Sequence, residues 1–369
     1  MKKLLAKIKL ISPLYILWII TILIVGIYSI HNLPFTPSFP YYSDLSAHYG
    51  RAVASFAHFD GIHYLRLIKH GYDDTGSQAF FPVYPFIIRT LTLGVFDPVY
   101  VAIIFNALCL LVSLIVTTSY LTKVQAKRFL LLFLTFPASF FLLANYTESF
   151  FILLVVLFFL FLQQKKYLLS AIIAGIASGT RLVGVFLSLS LLIELVRNRQ
   201  IIYRSTFLLL VSVSGLVSYM YFLFVRFGDP LMFVHVQSMF NNGRSSSDIV
   251  ILPQVIYRYL KIFLTATPFS LLYLRAVWEF VTFVLSLVAL YFYRNKMNLS
   301  ASIFCLSAFL LPTLSGTFSS MPRYLIVAIP LFIAISKNMT NRIFWPTIIL
   351  QYGILIITVA LFVQGIFIA

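Results

Sequence analysis

The chain has 369 residues, of which 61% are apolar and 10% are charged. A soluble protein carries about 25% charged residues, so this composition excludes a soluble globular fold. The net charge of +17 does not indicate a nucleic-acid partner, because the Lys and Arg residues lie in short clusters between apolar runs, as cytoplasmic anchors of membrane helices do. We therefore predict an all-α polytopic protein that spans the lipid bilayer as a single domain over residues 1–369.

The first apolar run, at about 11–30, follows four lysines and predicts a retained first helix with a cytoplasmic N-terminus. The next clear span, 99–121, is followed by a basic cluster at 123–128. If that cluster is also cytoplasmic, residues 32–98 form one large outer loop. The apolar segment Phe80–Phe96 is then predicted to lie at the membrane interface, because its two prolines interrupt a helix.

Nine further apolar runs predict spans at 129–144, 149–163, 167–180, 182–196, 205–225, 273–293, 299–317, 323–336 and 343–367. The total is about eleven transmembrane helices, which leaves the C-terminus outside. A second outer segment, 226–267, is predicted to form a flap or short interfacial helices, with a loop at Asn241–Ser247. This topology predicts a multi-pass protein of the plasma membrane in a prokaryote, or of the ER membrane in a eukaryote, whose site faces outward or into the lumen.

Polar side chains concentrate at residues 58–85, in HFDGIHYLRLIKHGYDDTGSQAFFPVYP. If the first part is helical, Asp60, His63, Tyr64 and His70 follow one face, because spacings of three and four share a face. A carboxylate among imidazoles and phenols can act as a general base, here toward a sugar hydroxyl. Two other interpretations stay open: Asp60 could cap a helix that starts at the next residue, or it could bind a metal.

Further polar residues are predicted on the same side of the membrane: Tyr146 and Glu148 in NYTESFF, Arg181 in ASGTRLVG, and Arg323 in SMPRY. Ionisable residues in apolar surroundings are costly and usually face a cavity or a partner. The alternative for each arginine is interfacial snorkelling or a buried ion pair with Glu148. Two arginines near a carboxylate and aromatic rings suit a lipid phosphate that carries a sugar.

These segments resemble the signature of the PIG-V-like mannosyltransferases, the second mannosyltransferases of GPI-anchor synthesis and their prokaryotic relatives. FDGIHYLRLIKHGY followed by QAFFPVYP resembles the family pattern WD-x-x-H-[FY], HGY and AFFP-x-[FY]-P. NYTESFF resembles Y-[ST]-E, ASGTRLVG resembles [AT]-G-x-R-x-x-G, and SMPRY is a weaker echo. Phe59 stands where the family usually has Trp, and Ile62 stands where some members have Glu.

The resemblance implies a GT-C glycosyltransferase, which is a bundle of membrane helices with its active site in the first outer loop and a polyprenyl-phosphate sugar as donor. Asp60 matches the motif aspartate and is the implied catalytic residue, while Gly71 matches the motif glycine. The implied substrate-binding residues are His63, Tyr64, His70, Tyr72, Tyr146, Glu148, Arg181, Arg323 and Tyr324.

The first functional hypothesis is an inverting hexosyltransferase, with mannose as the expected sugar. Asp60 would deprotonate a hydroxyl of a glycolipid or glycan acceptor, with Asp44 as the reserve base, and Arg181 and Arg323 would stabilise the leaving phosphate. The sequence requires no metal or other cofactor, and nothing in it supports a divalent metal. The alternatives are a transporter or flippase of lipid-linked sugars, and a non-catalytic partner of another transferase.

Overall fold

The computed structural model describes residues 2–37, 39, 41–240 and 250–368, and within these ranges it contains helices and no strand. The α-helices of the first half are α1 Lys2–Asn32, α2 Tyr42–His48, α3 Arg51–Ala54, α4 Asp60–His70, α5 Val83–Leu91, α6 Pro98–Ser119, α7 Lys123–Leu134, α8 Glu148–Gln163 and α9 Tyr167–Ser178. Those of the second half are α10 Val185–Arg197, α11 Ile202–Phe227, α12 Met232–His235, α13 Leu252–Thr265, α14 Leu271–Tyr293, α15 Leu299–Leu310, α16 Met321–Ile326, α17 Ile329–Asn338 and α18 Asn341–Val363. The predicted all-α class is confirmed.

Among the residues that the structure describes, five helical segments are long and apolar enough to cross a membrane: Leu5–Asn32, Pro98–Ser119, Ile202–Phe227, Leu271–Lys296 and Asn341–Val363. Each coincides with a predicted span. The agreement has a simple cause, because a helix rises about 1.5 Å per residue and a run of about 20 apolar residues is what the hydrocarbon core requires.

Other predicted spans are shorter or divided in the structure, and prolines account for the breaks. In the run 129–144 the α-helix ends at Leu134, three residues before Pro137, and a short 3-10 helix follows at Ser139–Leu142. The run 323–336 is divided between α16 and α17, where Pro330 occupies the first turn of α17. Proline lacks an N–H and clashes with the preceding turn, so it starts a helix more readily than it continues one.

The predicted interfacial segment Phe80–Phe96 contains only α5, which has nine residues. At about 1.5 Å per residue, α5 is too short to cross a hydrocarbon core of about 30 Å. Its position at the interface stays a prediction. The predicted second outer segment contains helices α12 and α13, and its place as an outer flap or at the interface stays a prediction. The predicted loop at Asn241–Ser247 lies outside the described residues.

The chain divides into two compact units. Unit 1 comprises residues 1–71, 84–157 and 332–368, and unit 2 comprises 72–83 and 158–331. The prediction of one domain over the whole chain stays a prediction.

In unit 1, contacts along α1 define the directions of three long helices. Near the N-terminal end of α1, Lys7 Nζ donates to the carbonyls of Thr118 (2.6 Å) and Leu121 (2.8 Å), at the C-terminal end of α6. Near the C-terminal end of α1, the Gln364 amide donates to Ser29 O (2.5 Å). Helix α6 therefore runs antiparallel to α1, and α18 runs parallel to it. These directions agree with the predicted order of crossings, while the cytoplasmic or outer identity of each face stays a prediction.

In unit 2, α9 and α11 approach so closely that only glycine fits between them. A Cβ atom on Gly215 would lie 2.1 Å from Gly175 O and 2.5 Å from Gly179 N. Small residues of this kind let membrane helices pack backbone to backbone. This contact holds the C-terminal end of α9, from which the ASGTRLVG segment continues.

Candidate active site

The motif aspartate lies at the start of a helix, directly after a strained residue. Phe59 has φ 52° and ψ −119° and occupies the N-cap position of α4, which begins at Asp60 itself. A non-glycine residue in such a conformation costs on the order of 1–3 kcal/mol and is held in place by its surroundings. Helix α4 therefore starts one residue earlier than in the alternative in which Asp60 caps a helix that begins at Gly61. Asp60 is only partly buried, whereas Phe59 is buried.

The NYTES segment holds the turn that precedes α4. The Asn145 backbone N–H donates to Phe56 O (2.7 Å), and the Asn145 side-chain amide donates to Gly61 O (2.9 Å). The Tyr146 hydroxyl donates to His58 O (2.8 Å). A Cβ atom on Gly61 would lie 3.3 Å from the Tyr146 ring. These contacts make Tyr146 a support of the Asp60 turn, and its contact with substrate stays a prediction.

A buried polar network extends from this turn to α6. The rings of Tyr64 and Tyr84 lie 5.4 Å apart, and the Tyr84 hydroxyl donates to Asn145 Oδ1 (3.1 Å). The Asn106 amide of α6 donates to Tyr84 Oη (3.1 Å) and Tyr146 O (3.0 Å). Sequence reasoning missed Asn106, although a single amide inside an apolar span is itself a signal. Glu148, which is fully buried, begins α8 directly after this network.

The three residues predicted to follow Asp60 on one face lie in different surroundings. Tyr64 is buried, His63 is half-buried with its ring 5.8 Å from that of Tyr41, and His70 is exposed at the end of α4. A helix turns by about 100° per residue, so a position ten residues along is rotated well away from the starting face. Asp60 and His63 therefore share one end of α4, and His70 lies at the other end.

Asp44, the reserve base, is paired with a cation. Its carboxylate lies 3.5 Å from the Arg66 guanidinium, which also stacks 4.2 Å from the centre of the Tyr41 ring. The Asp44 side chain is 58% exposed, so this is a surface ion pair and is worth little to stability.

Sequence reasoning also missed the last turn of α18 and the residues just after it, which pack on His58 and Phe59. The His58 imidazole Nδ1 lies 3.1 Å from Phe362 O, and the Phe59 ring lies 5.5 Å from Phe362 and 5.1 Å from Phe367. Gln364 accepts from Arg51 (2.9 Å). His58 belongs to the polar segment 58–85, but its hydrogen-bond partner Phe362 lies 304 residues away in the sequence. The strained Phe59 is therefore held by the C-terminal residues as well as by the NYTES segment.

Burial lowers the pKa of His58 from 6.5 to about 4, with the positive charge of Arg51 acting in the same direction. Between these two pH values the unfolded chain binds a proton that the folded chain does not. The stability contributed by neutral His58 is therefore complete above about pH 6.5 and is lost as pH falls toward 4. The loss amounts to on the order of 2–3 kcal/mol.

We therefore expect the melting temperature of the purified protein to fall as the pH is lowered from 7 to 4.5. In His58→Gln, whose side chain does not titrate, this dependence should be shallower. Differential scanning fluorimetry in one detergent across that pH range measures both slopes. Equal slopes for the two proteins would show that His58 is not the group responsible.

In unit 2, three other motif segments are joined by direct contacts. The Tyr72 hydroxyl of HGY donates to Phe80 O of AFFP (2.7 Å). The backbone N–H of Val83, which follows AFFP, donates to Gly179 O of ASGTRLVG (3.1 Å). The Tyr219 hydroxyl of α11 donates to the carbonyl of Gln78, the residue just before AFFP (2.7 Å), and so helps to hold the AFFP segment. Residues of three separate motifs thus form one continuous support.

Arg181 and Tyr324 meet at the end of this support. The Arg181 guanidinium carbon lies 5.6 Å from the centre of the Tyr324 ring, within cation–π range. The turn that carries Arg181 is tight, because a Cβ atom on Gly184 would lie 2.3 Å from Ala177 C and O. The neighbouring Arg323 is 5% exposed and lies in the first turns of α16.

The predicted site residues therefore form two sets. Unit 1 holds Asp60, His63, Tyr64, His70, Tyr146 and Glu148, and unit 2 holds Tyr72, Arg181, Arg323 and Tyr324. The first set offers a partly accessible carboxylate at a rigid turn, as a general base requires. The second set offers two guanidinium groups, one of which lies on an aromatic ring, and guanidinium groups suit the binding of phosphate.

Comparison with solved structures identifies the fold. The chain is similar to ArnT from Cupriavidus metallidurans bound to undecaprenyl phosphate, with a TM-score of 0.51 and 16% identity, over 91% of this chain and 62% of ArnT. The apo state of the same ArnT gives a TM-score of 0.47 and 15% identity, over 91% of this chain and 61% of ArnT. No protein-family model matches the chain, and no curated protein matches it.

The likeness to the first ArnT structure establishes a GT-C-type bundle of membrane helices, so the predicted fold is confirmed. With its several apolar helices, the chain is an integral, multi-pass membrane protein. It spans 62% of the length of ArnT, and identity at this level concerns the fold alone.

Proposed function

We propose that this protein is an inverting membrane glycosyltransferase that takes a hexose from a polyprenyl-phosphate donor. The expected sugar is mannose, and the expected acceptor is a hydroxyl of a glycolipid or glycan. The reaction would take place on the outer face of the plasma membrane, or on the lumenal face of the ER membrane in a eukaryote.

In the proposed mechanism, the Asp60 carboxylate takes the proton of the acceptor hydroxyl. The acceptor oxygen attacks the anomeric carbon while the bond from that carbon to the phosphate oxygen breaks, which inverts the configuration. The polyprenyl phosphate leaves with one more negative charge than it had as a diester. Arg181 and Arg323 are assigned to that charge, because cations aimed at a group where charge develops act mainly on the transition state.

One observation carries the proposal: motif segments far apart in the sequence are joined residue by residue. In unit 2, Tyr72 contacts Phe80, Val83 contacts Gly179, and Arg181 stacks on Tyr324. These contacts lead to the half-buried Arg181, which stacks on Tyr324, and the residue before Tyr324 in the sequence is the buried Arg323. Ionisable residues in apolar surroundings are rare and often belong to a functional site.

The neighbour with the same fold supports the lipid-linked donor. The ArnT structure that this chain resembles is bound to undecaprenyl phosphate, which is a polyprenyl phosphate. We carry this ligand class over as part of the proposal. The preference for mannose rests on the resemblance of HGY, AFFP and the neighbouring motifs to PIG-V-like enzymes.

The test is transfer by the purified protein in liposomes. Supplied with radiolabelled polyprenyl-phosphate mannose and a lipid extract of the source membrane, it should move label into a new glycolipid or glycan. In sealed right-side-out vesicles, impermeant periodate should oxidise the transferred sugar, since the proposal puts the product outside. Label that only crosses the bilayer, still on the polyprenyl phosphate, would indicate a flippase instead. Transfer that requires a second protein and is unaffected by loss of Asp60 would indicate a non-catalytic partner.

A further inference from the structure

Helix α13 of the second outer segment is bonded to the chain just before Arg323. We call residues 316–320 the FSS turn. Arg258 of α13 donates to Gly316 O (3.0 Å), and just before α13 the Val250 N–H donates to Leu314 O (3.1 Å). Gly316 has φ +90°, and a Cβ atom on it would lie 2.3 Å from Arg258 Nη1. A side chain at Gly316 would therefore displace the Arg258 guanidinium from its contact with the FSS turn.

The Tyr259 hydroxyl is the centre of the contact. It donates to the Glu279 carboxylate and accepts the Phe318 N–H (3.0 Å). The Thr317 hydroxyl lies 3.0 Å away and, because the phenol proton goes to Glu279, Thr317 donates. Burial and the Glu279 charge raise the pKa of Tyr259, which keeps the phenol protonated. One hydroxyl thus ties together α13, α14 and the FSS turn.

Glu279 is the unusual member of this network. It lies within the apolar helix α14 and is 4% exposed. Its other oxygen lies 3.8 Å from Arg275 Nε. Burial of a carboxylate costs free energy that apolar packing of the same volume would avoid. A carboxylate at this position can fix one geometry of the FSS turn through Tyr259, because hydrogen bonds have direction and apolar contacts do not.

The FSS turn leads directly into the helix that carries Arg323. Ser320 has φ +67° and occupies the N-cap position of α16. The backbone N–H groups of Arg323 and Tyr324 both donate to Ser320 O, at 3.0 Å and 3.2 Å. The Met321 N–H donates to Phe318 O (3.0 Å). The orientation of Arg323 therefore depends on the conformation of Phe318 and Ser320, which Tyr259 and Glu279 hold.

We infer that Tyr259 and Glu279 are positioning residues, which hold Arg323 in the orientation that binds the donor phosphate. This inference rests on the proposed function, because it takes the assignment of Arg323 to the phosphate from there. It adds two residues with no place in the motif resemblance. It also gives the second outer segment a role, since α13 reaches the phosphate site through Tyr259.

The test compares binding of undecaprenyl phosphate with binding of undecaprenol, which has the same tail and no phosphate. On the purified full chain, the dissociation constant for undecaprenol divided by that for undecaprenyl phosphate measures recognition of the phosphate alone. General damage to the fold weakens the binding of both ligands and leaves the ratio unchanged. Tyr259→Phe should lower the ratio about three- to tenfold, the effect of misplacing one charge-assisted contact. Glu279→Gln should lower it in the same direction and by less, because the amide oxygen still accepts from Tyr259.

Two matched controls lie in the same unit. Tyr257→Phe removes a phenol hydroxyl from the exposed side of α13, where Tyr257 is 66% exposed. Glu194→Gln neutralises a glutamate of α10 that bonds to Ser300 (3.1 Å) and lies 3.8 Å from Arg197. Neither substitution should change the ratio. In an Arg323→Gln background, Tyr259→Phe should cause no further loss, because the contact it positions is already absent.

Each other outcome has a distinct meaning. If Arg323→Gln lowers the ratio while Tyr259→Phe and Glu279→Gln do not, the inference is overturned and the proposed function stands. If the wild-type protein binds both lipids equally, the phosphate site of the proposed function fails, and the inference fails with it. Should Tyr259→Phe not fold, Glu279→Gln and its double variant with Arg323→Gln decide by the same ratio.

Discussion

Replacing Asp60 by Asn should lower the rate of sugar transfer by at least about 10²-fold, the usual scale for loss of a general base, while the protein still folds and inserts. The amide has nearly the same shape, and its main structural cost is the loss of a negative charge in the first turn of α4. That charge is worth about 0.3–1 kcal/mol near a helix N-terminus. Transfer from a radiolabelled polyprenyl-phosphate sugar in proteoliposomes measures the rate, and the melting temperature reports folding.

Two aspartates of the same predicted loop serve as controls. Asp44 is paired with Arg66, and Asp73 is exposed just after HGY. Asp44→Asn and Asp73→Asn should each change the transfer rate far less than Asp60→Asn. If Asp44→Asn abolishes transfer and Asp60→Asn does not, the base is Asp44. If Asp60→Asn fails to fold, Asp60 has a structural role that its place in α4 does not explain.

Replacing Arg181 by Ala should raise the apparent KM for the donor and lower kcat. A charge-assisted contact that strengthens in the transition state contributes roughly 2–4 kcal/mol, so kcat/KM should fall accordingly. Arg181→Lys should recover only part of the loss, because an ammonium group cannot bind phosphate in the bidentate way of a guanidinium. Initial rates at varied donor concentration separate the two parameters.

Arg226 provides the matched control, since it is an exposed arginine at the end of α11 in the same unit. Arg226→Ala should leave the donor kinetics as they are. If Arg181→Ala leaves the donor KM and kcat unchanged, the role of Arg181 is structural, as a cation stacked on Tyr324 or paired with a carboxylate. If Arg181→Ala lowers kcat/KM for the acceptor but not for the donor, Arg181 belongs to the acceptor site.

Local properties of the chain were enough to predict the helical class and the five long spans among the described residues, because the length and composition of an apolar run show whether a helix can cross a bilayer. They also pointed to Asp60 and Arg181, since a charge in apolar surroundings stands out in any sequence. Where the predicted spans overran their helices, the information was still local: Pro137 and Pro330 mark the breaks. Asp60 begins α4, whereas one of the interpretations left open by the sequence placed it one residue before the helix.

The partners of these residues were decided only by the tertiary structure. His58 meets Phe362, Asn106 meets Tyr84 and Tyr146, and Tyr259 meets Glu279. A hydrogen bond between residues far apart in sequence leaves no periodicity and no compositional trace, because it depends on how the helices pack. The amino-acid sequence by itself determined which side chains can bear charge within an apolar chain and which runs are long enough to span a bilayer. Packing of the helices determined which backbone groups those side chains hold, and so how rigidly each candidate group is oriented.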